Sequence, residues 1–169
     1  LTLDGAVAHG ASVTVAYTDP TGDNDASAIQ DGAGNDAATL AATSVANLVP
    51  DTTPPAFVSA ATSADGATLV LTYDETLDAS NAPQPSRFQV RVNGEEVDVT
   101  AAVVDGASVV LTLADAVPQG AAVDVAYFDL SSDNDALAIQ DAAGNDAASL
   151  PTTSVSNLVP DTTPPVFVS

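Results

Sequence analysis

FQVRVNGEEVDV, residues 88–99, is the stretch that decides the fold. Phe88, Val90 and Val92 alternate with Gln89 and Arg91, and Val97 and Val99 alternate again beyond the break. A period of two places the apolar side chains on one face of a strand. The break itself is Asn93-Gly94, the strongest short-range hairpin signal, because both central residues of the favoured turn need positive φ.

Working outward, the same grammar repeats. Upstream, Leu69, Leu71 and Tyr73 of ATLVLTY share one strand face, behind a short apolar segment, AFVSAA at 56–61, and the turn dipeptide Asp65-Gly66. Downstream, EEVDVTAAVV reads as one strand, and Asp105-Gly106 turns it into SVVLTLA. ADAVPQG then leads into AAVDVAYF, with Val123, Val125 and Tyr127 on one face, and the last strand is expected over roughly 152–159. No window has helical period. Seven short strands in about 100 residues predict an all-β chain of tandem seven-stranded immunoglobulin-like β-sandwich domains. A seven-strand barrel of other connectivity is the alternative.

The chain also repeats itself. Sliding it by 110 residues lays 1–59 on 111–169, with 42 of those 59 positions identical and no gap. Repetition at a fixed period marks a repeat protein. The expected organisation is the C-terminal part of one repeat at 1–50, a complete repeat at 51–160, and the linker and first strand of another at 161–169. A 110-residue period is large enough to bury its own core, so the chain reads as an excerpt from a longer one. Repeats are joined by NLVPDTTPP, whose paired prolines fix φ and push the preceding residues to extended conformations. Such a joint is short and semi-rigid.

Charge is lopsided, with 23 acids against Arg87 and Arg91 and a net charge of −21. A field of that sign repels nucleic acid and anionic membrane and attracts cations. Cys is absent, so disulfides and thiolate metal chemistry play no part. No apolar run approaches the roughly 18 residues of a membrane span, and LTLDG opens without the pattern of a signal peptide.

Where the acids fall matters more than their number. If the strands run up and down, the second-to-third, fourth-to-fifth and sixth-to-seventh connections share a pole with the entering linker. Asp51, Asp74, Glu75, Asp78, Asp105, Asp129, Asp133, Asp135, Asp141 and Asp146 fall there, ten of the sixteen acids of the repeat. Crowded like charges repel unless a cation offsets them, and Ca²⁺ takes about six to eight oxygen ligands. Asp133, Asn134, Asp135, Asp141, Asn145 and Asp146 supply such oxygens from a loop whose Gly144 permits a sharp turn. The first copy repeats them as Asp23, Asn24, Asp25, Asp31, Asn35 and Asp36, and Asp51, Asp74, Glu75 and Asp161 complete the candidate set. Oxygen ligands without nearby His or Cys point to Ca²⁺ rather than zinc or copper. The EF-hand pattern fails, since the sixth position from Asp133 is Ala138, and a β-roll needs consecutive nonapeptides. The alternative is that Asp and Asn serve only as turn formers.

The run ATLVLTYDETLDASNAPQPSRFQVRVNG, followed by SVVLTLADAVPQGAAVDVAYFD and AIQDAAGND, resembles the SWM-type repeat, a bacterial immunoglobulin-like tandem repeat. The resemblance implies an exported, multi-domain stalk, adhesin-like or filament protein of the extracellular space or bacterial cell surface, with calcium at domain joints. Its expected partners are neighbouring repeats of the same chain, with self-assembly or a surface ligand as further options. The extra DND ahead of AIQD departs from the pattern. A calcium-dependent, lectin-like module is the alternative function. Catalysis is not expected: the single His9 becomes Gln119 in the second copy, and Asp133 and Asp135 as a glycosidase pair would work with only seven aromatic residues in the whole chain.

Overall fold

A computed structural model of the chain describes residues 3–131 and 134–167. The chain divides into two compact units, one ending at Asp51 and one beginning at Thr52. The first carries two antiparallel strands, β1 (Val13–Tyr17) and β2 (Leu40–Val45).

The second unit is a sandwich of two four-stranded antiparallel sheets. One has the order β3 (Phe57–Thr62), β4 (Thr68–Tyr73), β8 (Ser108–Leu113), β7 (Val99–Asp105). The other has the order β10 (Leu150–Ser154), β9 (Val123–Tyr127), β5 (Phe88–Val92), β6 (Glu95–Val97). This is the A-B-E-D against G-F-C-C′ arrangement of immunoglobulin-like sandwiches. A 3₁₀ turn, Pro85–Arg87, leads into β5. Strands β1 and β9 are related by the 110-residue offset.

Turn chemistry sets the registers. Asn93 and Gly94 have φ of 52° and 87°, the double positive φ of a type I′ turn, and Val92 lies opposite Glu95 across it. Gly106, at φ 59°, opens the two-residue turn that pairs Asp105 with Ser108. Alternation then fills the core. Leu69 and Leu71 of β4, Val109 and Leu111 of β8, Val90 of β5, and Val125 and Tyr127 of β9 are all fully enclosed. Each aliphatic side chain so buried stabilises the fold by about 1.5–3 kcal/mol. On the outside of the second sheet, Arg91 lies opposite Glu96 on one neighbour and Asp124 on the other, an opposite-charge cross-strand arrangement.

Two strand expectations need correction. EEVDVTAAVV is two strands, because at Asp98 the chain leaves the β5 sheet and joins β8 in the other, which gives this unit eight strands among the described residues. The final strand is Leu150–Ser154 rather than 152–159. Beyond it the chain changes sheets: Val155 N–H donates to Val123 at 2.8 Å, while Ser156 N–H donates to Ala60 at 2.9 Å and its carbonyl accepts from Thr62 at 3.0 Å. Leu158 N–H reaches the Thr62 hydroxyl at 2.9 Å.

Gly66 shows how closely the loops pack. It sits at φ 71°, and a Cβ built on it would lie 2.3 Å from the Val117 carbonyl oxygen, whose own N–H donates to the Gly66 carbonyl at 2.9 Å. Gly66→Ala combines a left-handed backbone cost with a backbone clash. It is expected to destabilise the second unit by at least about 2 kcal/mol, read as a lowered urea midpoint with an unchanged m-value; an unaltered midpoint would contradict this packing.

Candidate metal centre

The pole inferred from connectivity exists in the second unit. Leu77 N–H donates to Gly106 at 2.9 Å and Asp78 N–H to Gln140 at 2.8 Å, and Leu77 forms a bridge with Asp141. The β4–β5, β7–β8 and β9–β10 connections therefore meet at one end.

The β9–β10 loop is anchored from below. Tyr127, wholly buried, accepts the Ile139 N–H at 2.9 Å. Burial pushes its phenol up to about 12, so it remains a neutral hydroxyl. Ala147 N–H closes the loop on the Ile139 carbonyl at 2.7 Å. In the first unit Tyr17 accepts the Ile29 N–H at 3.0 Å.

Within that frame the candidate ligands separate into groups. Asp141 is buried and committed to its own loop. Its carboxylate accepts from Ala143 N–H (2.8 Å), Asn145 N–H (2.9 Å) and the Asn145 amide (2.7 Å). Burial works against its charge, but these bonds prevail and hold its carboxyl below the usual range. Asp31 does the same with Ala33 (2.9 Å) and Asn35 (3.0 and 2.9 Å), and the Asn35 side chain contributes most to lowering its carboxyl. Gly34 and Gly144, at φ 85° and 86°, supply the bend. The D-x-x-G-N segment is thus a self-capped turn. Glu75 approaches Asp141 with carboxylate oxygens within 4.8 Å.

A second group gathers differently. The carboxylates of Asp129, Asp135 and Asp146 each present an oxygen, and the three lie within 4.8 Å of one another. Asp146 Oδ2 accepts the Asp135 N–H at 2.7 Å, whereas its Oδ1 is enclosed without a hydrogen-bond partner among the described residues. Burial, followed by the charges of Asp129, Asp135 and Asp141, pushes the Asp146 carboxyl up. Asp135 moves the other way. Hydrogen bonds from the Ser131 side chain and the Leu137 N–H hold it low, with a further contribution from the Arg87 charge. Asn134 orients the group by accepting the Asp146 N–H at 3.4 Å. Asp133 lies outside the described residues.

The other candidates make these contacts within their own units. Asp74 accepts the Ala56 N–H at 2.8 Å. Asp161 caps an exposed turn through Thr163 N–H at 2.9 Å. In the first unit, Asp51 lies 3.4 Å from His9 Nε2, and Asp23 is exposed, offering its carbonyl to the Thr21 hydroxyl at 2.8 Å. Asn24 accepts the Asp36 N–H at 3.2 Å, and Asp36 accepts the Asp25 N–H at 3.0 Å. Asp25 also accepts from the Thr21 hydroxyl, the main cause of its lowered carboxyl.

The triad fits a hard cation on two counts. Oxygens bound to one Ca²⁺ at about 2.3–2.6 Å lie no more than roughly 5 Å apart, and an enclosed carboxylate oxygen without a donor is costly unless something positive meets it. Asp129 was counted at the acidic pole by sequence but not among the ligands. Its signal was available: it directly follows a strand and recurs as Asp19 in the first copy.

Residues 50–132 match the SWM_repeat family, described as "Putative flagellar system-associated repeat", and this segment is a member of that family. Comparison with curated proteins finds no match. Among solved structures, the chain is similar to the N-terminal part of the bacterial S-layer protein SbsC, with 19% identity and a TM-score of 0.48 over 61% of this chain and 23% of that one. A longer structure of the same S-layer protein, rSbsC(31-844), matches with the same identity and TM-score over 60% and 13%. The chain therefore spans less than a quarter of the length of these solved structures.

A sign test follows from the Asp146 shift. A carboxyl raised in the fold favours protonation there, so without divalent ions stability should rise as pH falls through its folded value toward the ordinary carboxylate range. In chelator near neutral pH, Asp146→Asn is expected to melt higher than the parent protein. With millimolar calcium the order should reverse, as seen by scanning calorimetry; a variant that melts lower in both conditions would show that the carboxylate is not held under repulsion.

Proposed function

We propose that this chain is a structural repeat of an extended bacterial surface or extracellular protein, a stalk, adhesin or filament component, stiffened by calcium at its acidic pole. The observation that carries the reading is the Asp129–Asp135–Asp146 cluster, with carboxylate oxygens within 4.8 Å and an enclosed Asp146 oxygen that meets no donor among the described residues. Calcium suits that donor set because every ligand is a hard oxygen. The ion would replace mutual repulsion with a shared counter-charge, tying the end of β9 to the loop that returns to β10.

The repeat organisation supports the structural side of the proposal. Near-identical loops recur at 110 residues with the proline joint between them, which suits a scaffold built by stacking one module, and the neighbouring repeats are its first partners. No described helix is long and apolar enough to cross a membrane. A role without catalysis accords with a polar pole whose acids serve turns and a cation cluster rather than a substrate cleft.

Extracellular calcium modules bind with dissociation constants of about 10⁻⁴ to 10⁻³ M. At ten times that concentration one ion adds about 1.4 kcal/mol to the folded state. The expected result is a melting temperature that climbs by several degrees from EDTA to millimolar calcium in the parent protein, with little gain in Asp129→Asn. Melting curves that superpose in EDTA and calcium would overturn the proposal.

A further inference from the structure

The sandwich has four strand edges, and their protection is uneven. Strand β3 is covered on its outer side by Ser156, which pairs with Ala61 in parallel. Strand β10 holds Pro151, and β6 is three residues long with Glu95 and Glu96. Proline, charge, shortness and coverage are the ordinary means by which proteins block edge pairing. Strand β7, at the edge beside β8, is irregular between Val99 and Ala101 and has the 3₁₀ turn Pro85–Arg87 packed near it. Its stretch from Ala101 to Val104, however, has no proline, no charge and no described strand paired on its outer side. The strand's seven residues, VTAAVVD, contain no proline, no glycine and no charge before Asp105.

The register shows which backbone groups are free. Asp105 and Ser108 flank the two-residue turn and so exchange ladder hydrogen bonds. Alternation then turns the N–H and C=O groups of Ala102 and Val104 away from β8. Among the described residues no other backbone group bonds to them. Between them Val103 stands 56% exposed on the outer face of the sheet.

We propose that β7 is a self-association edge, and that its partner is β7 of a second copy of this chain, paired antiparallel about a twofold axis at Val103. That register matches Ala102 with Val104 of the other copy in hydrogen-bonded pairs and sets the two Val103 side chains together in the close, non-hydrogen-bonded pair. Asp105 then lies opposite Ala101 and Thr100 opposite Gly106, so no carboxylate faces another across the seam. An identical strand is the occupant because this stretch is uncharged on a molecule of net charge −21; a basic peptide would find more attraction elsewhere. Repulsion between copies opposes the pairing, so it should strengthen with salt, as the Debye length falls to a few Å. The seam joins two four-stranded sheets into one of eight and does not depend on calcium.

The chain lacks cysteine, so one introduced thiol reports cleanly. In a non-hydrogen-bonded antiparallel pair the Cα atoms lie about 4.5 Å apart, within disulfide range. With oxidised glutathione in high salt, Val103→Cys of the full 169-residue chain is expected to give a covalent dimer as the main product. Val58→Cys, 59% exposed on β3, should stay mostly monomeric. By sedimentation velocity in high salt the parent should form dimers, Val103→Lys should not, and Ile29→Ser, which alters an exposed apolar residue of the first unit, should still do so. A parent that stays monomeric at every salt concentration overturns the proposal. So do equal cross-linking of the two cysteine variants and a dimer lost to Ile29→Ser but kept in Val103→Lys.

Discussion

The hydroxyl of Tyr127 accepting the Ile139 N–H is the contact on which the arrangement of the second unit's acidic end depends. The ring belongs to the core, packed 5.3 Å from Phe88, while the oxygen reaches up to a loop whose Ile139 and Ala147 are themselves buried in that core. A buried N–H left without an acceptor costs about 1–3 kcal/mol, so the loop is held where that bond can form. Once Ile139 is fixed, the turn Asp141–Asn145 closes on itself. Asp146 then folds back against the Asp135 backbone.

Rigidity at that end comes with electrostatic strain. The molecule concentrates carboxylates where three connections converge and meets them with few positive charges, Arg87 being the one that acts on Asp135. Most of the loop acids escape the resulting repulsion by accepting backbone N–H groups, which lowers their proton affinity. Asp146 shares in that solution with only one oxygen, and the other faces its neighbours' charge in an enclosed position. Turn chemistry therefore accounts for Asp31 and Asp141 without any ion, while the Asp129–Asp135–Asp146 group is left with a charge that its own hydrogen bonds do not neutralise.

Much of the fold was legible in the sequence. The alternation of Leu69, Leu71 and Tyr73, and of Val123, Val125 and Tyr127, names core residues directly, and Asn93-Gly94 fixes a register. The switch at Asp98 was not legible, because a period of two continues unbroken when a chain passes from one sheet to the other; only the partner strand changes. The end of β10 was misplaced for the same reason, since the residues after Ser154 are extended and bonded but serve the opposite sheet. For the site, connectivity alone located the acidic pole. It did not separate turn-capping carboxylates from crowded ones, because Asp141 and Asp146 look alike until their hydrogen bonds are counted.

That change of sheet also decides how the unit bears load. Entering through β3 and leaving past Ser156, the two terminal segments run parallel, tied by Ser156 N–H to Ala60, Thr62 N–H to Ser156 and Leu158 N–H to the Thr62 hydroxyl. Tension applied along the chain drags these segments in opposite directions along their shared axis. The three bonds must then yield together in shear instead of opening one by one like a zipper, so the short bridging segment at Ser156 acts as the mechanical clasp of the sandwich.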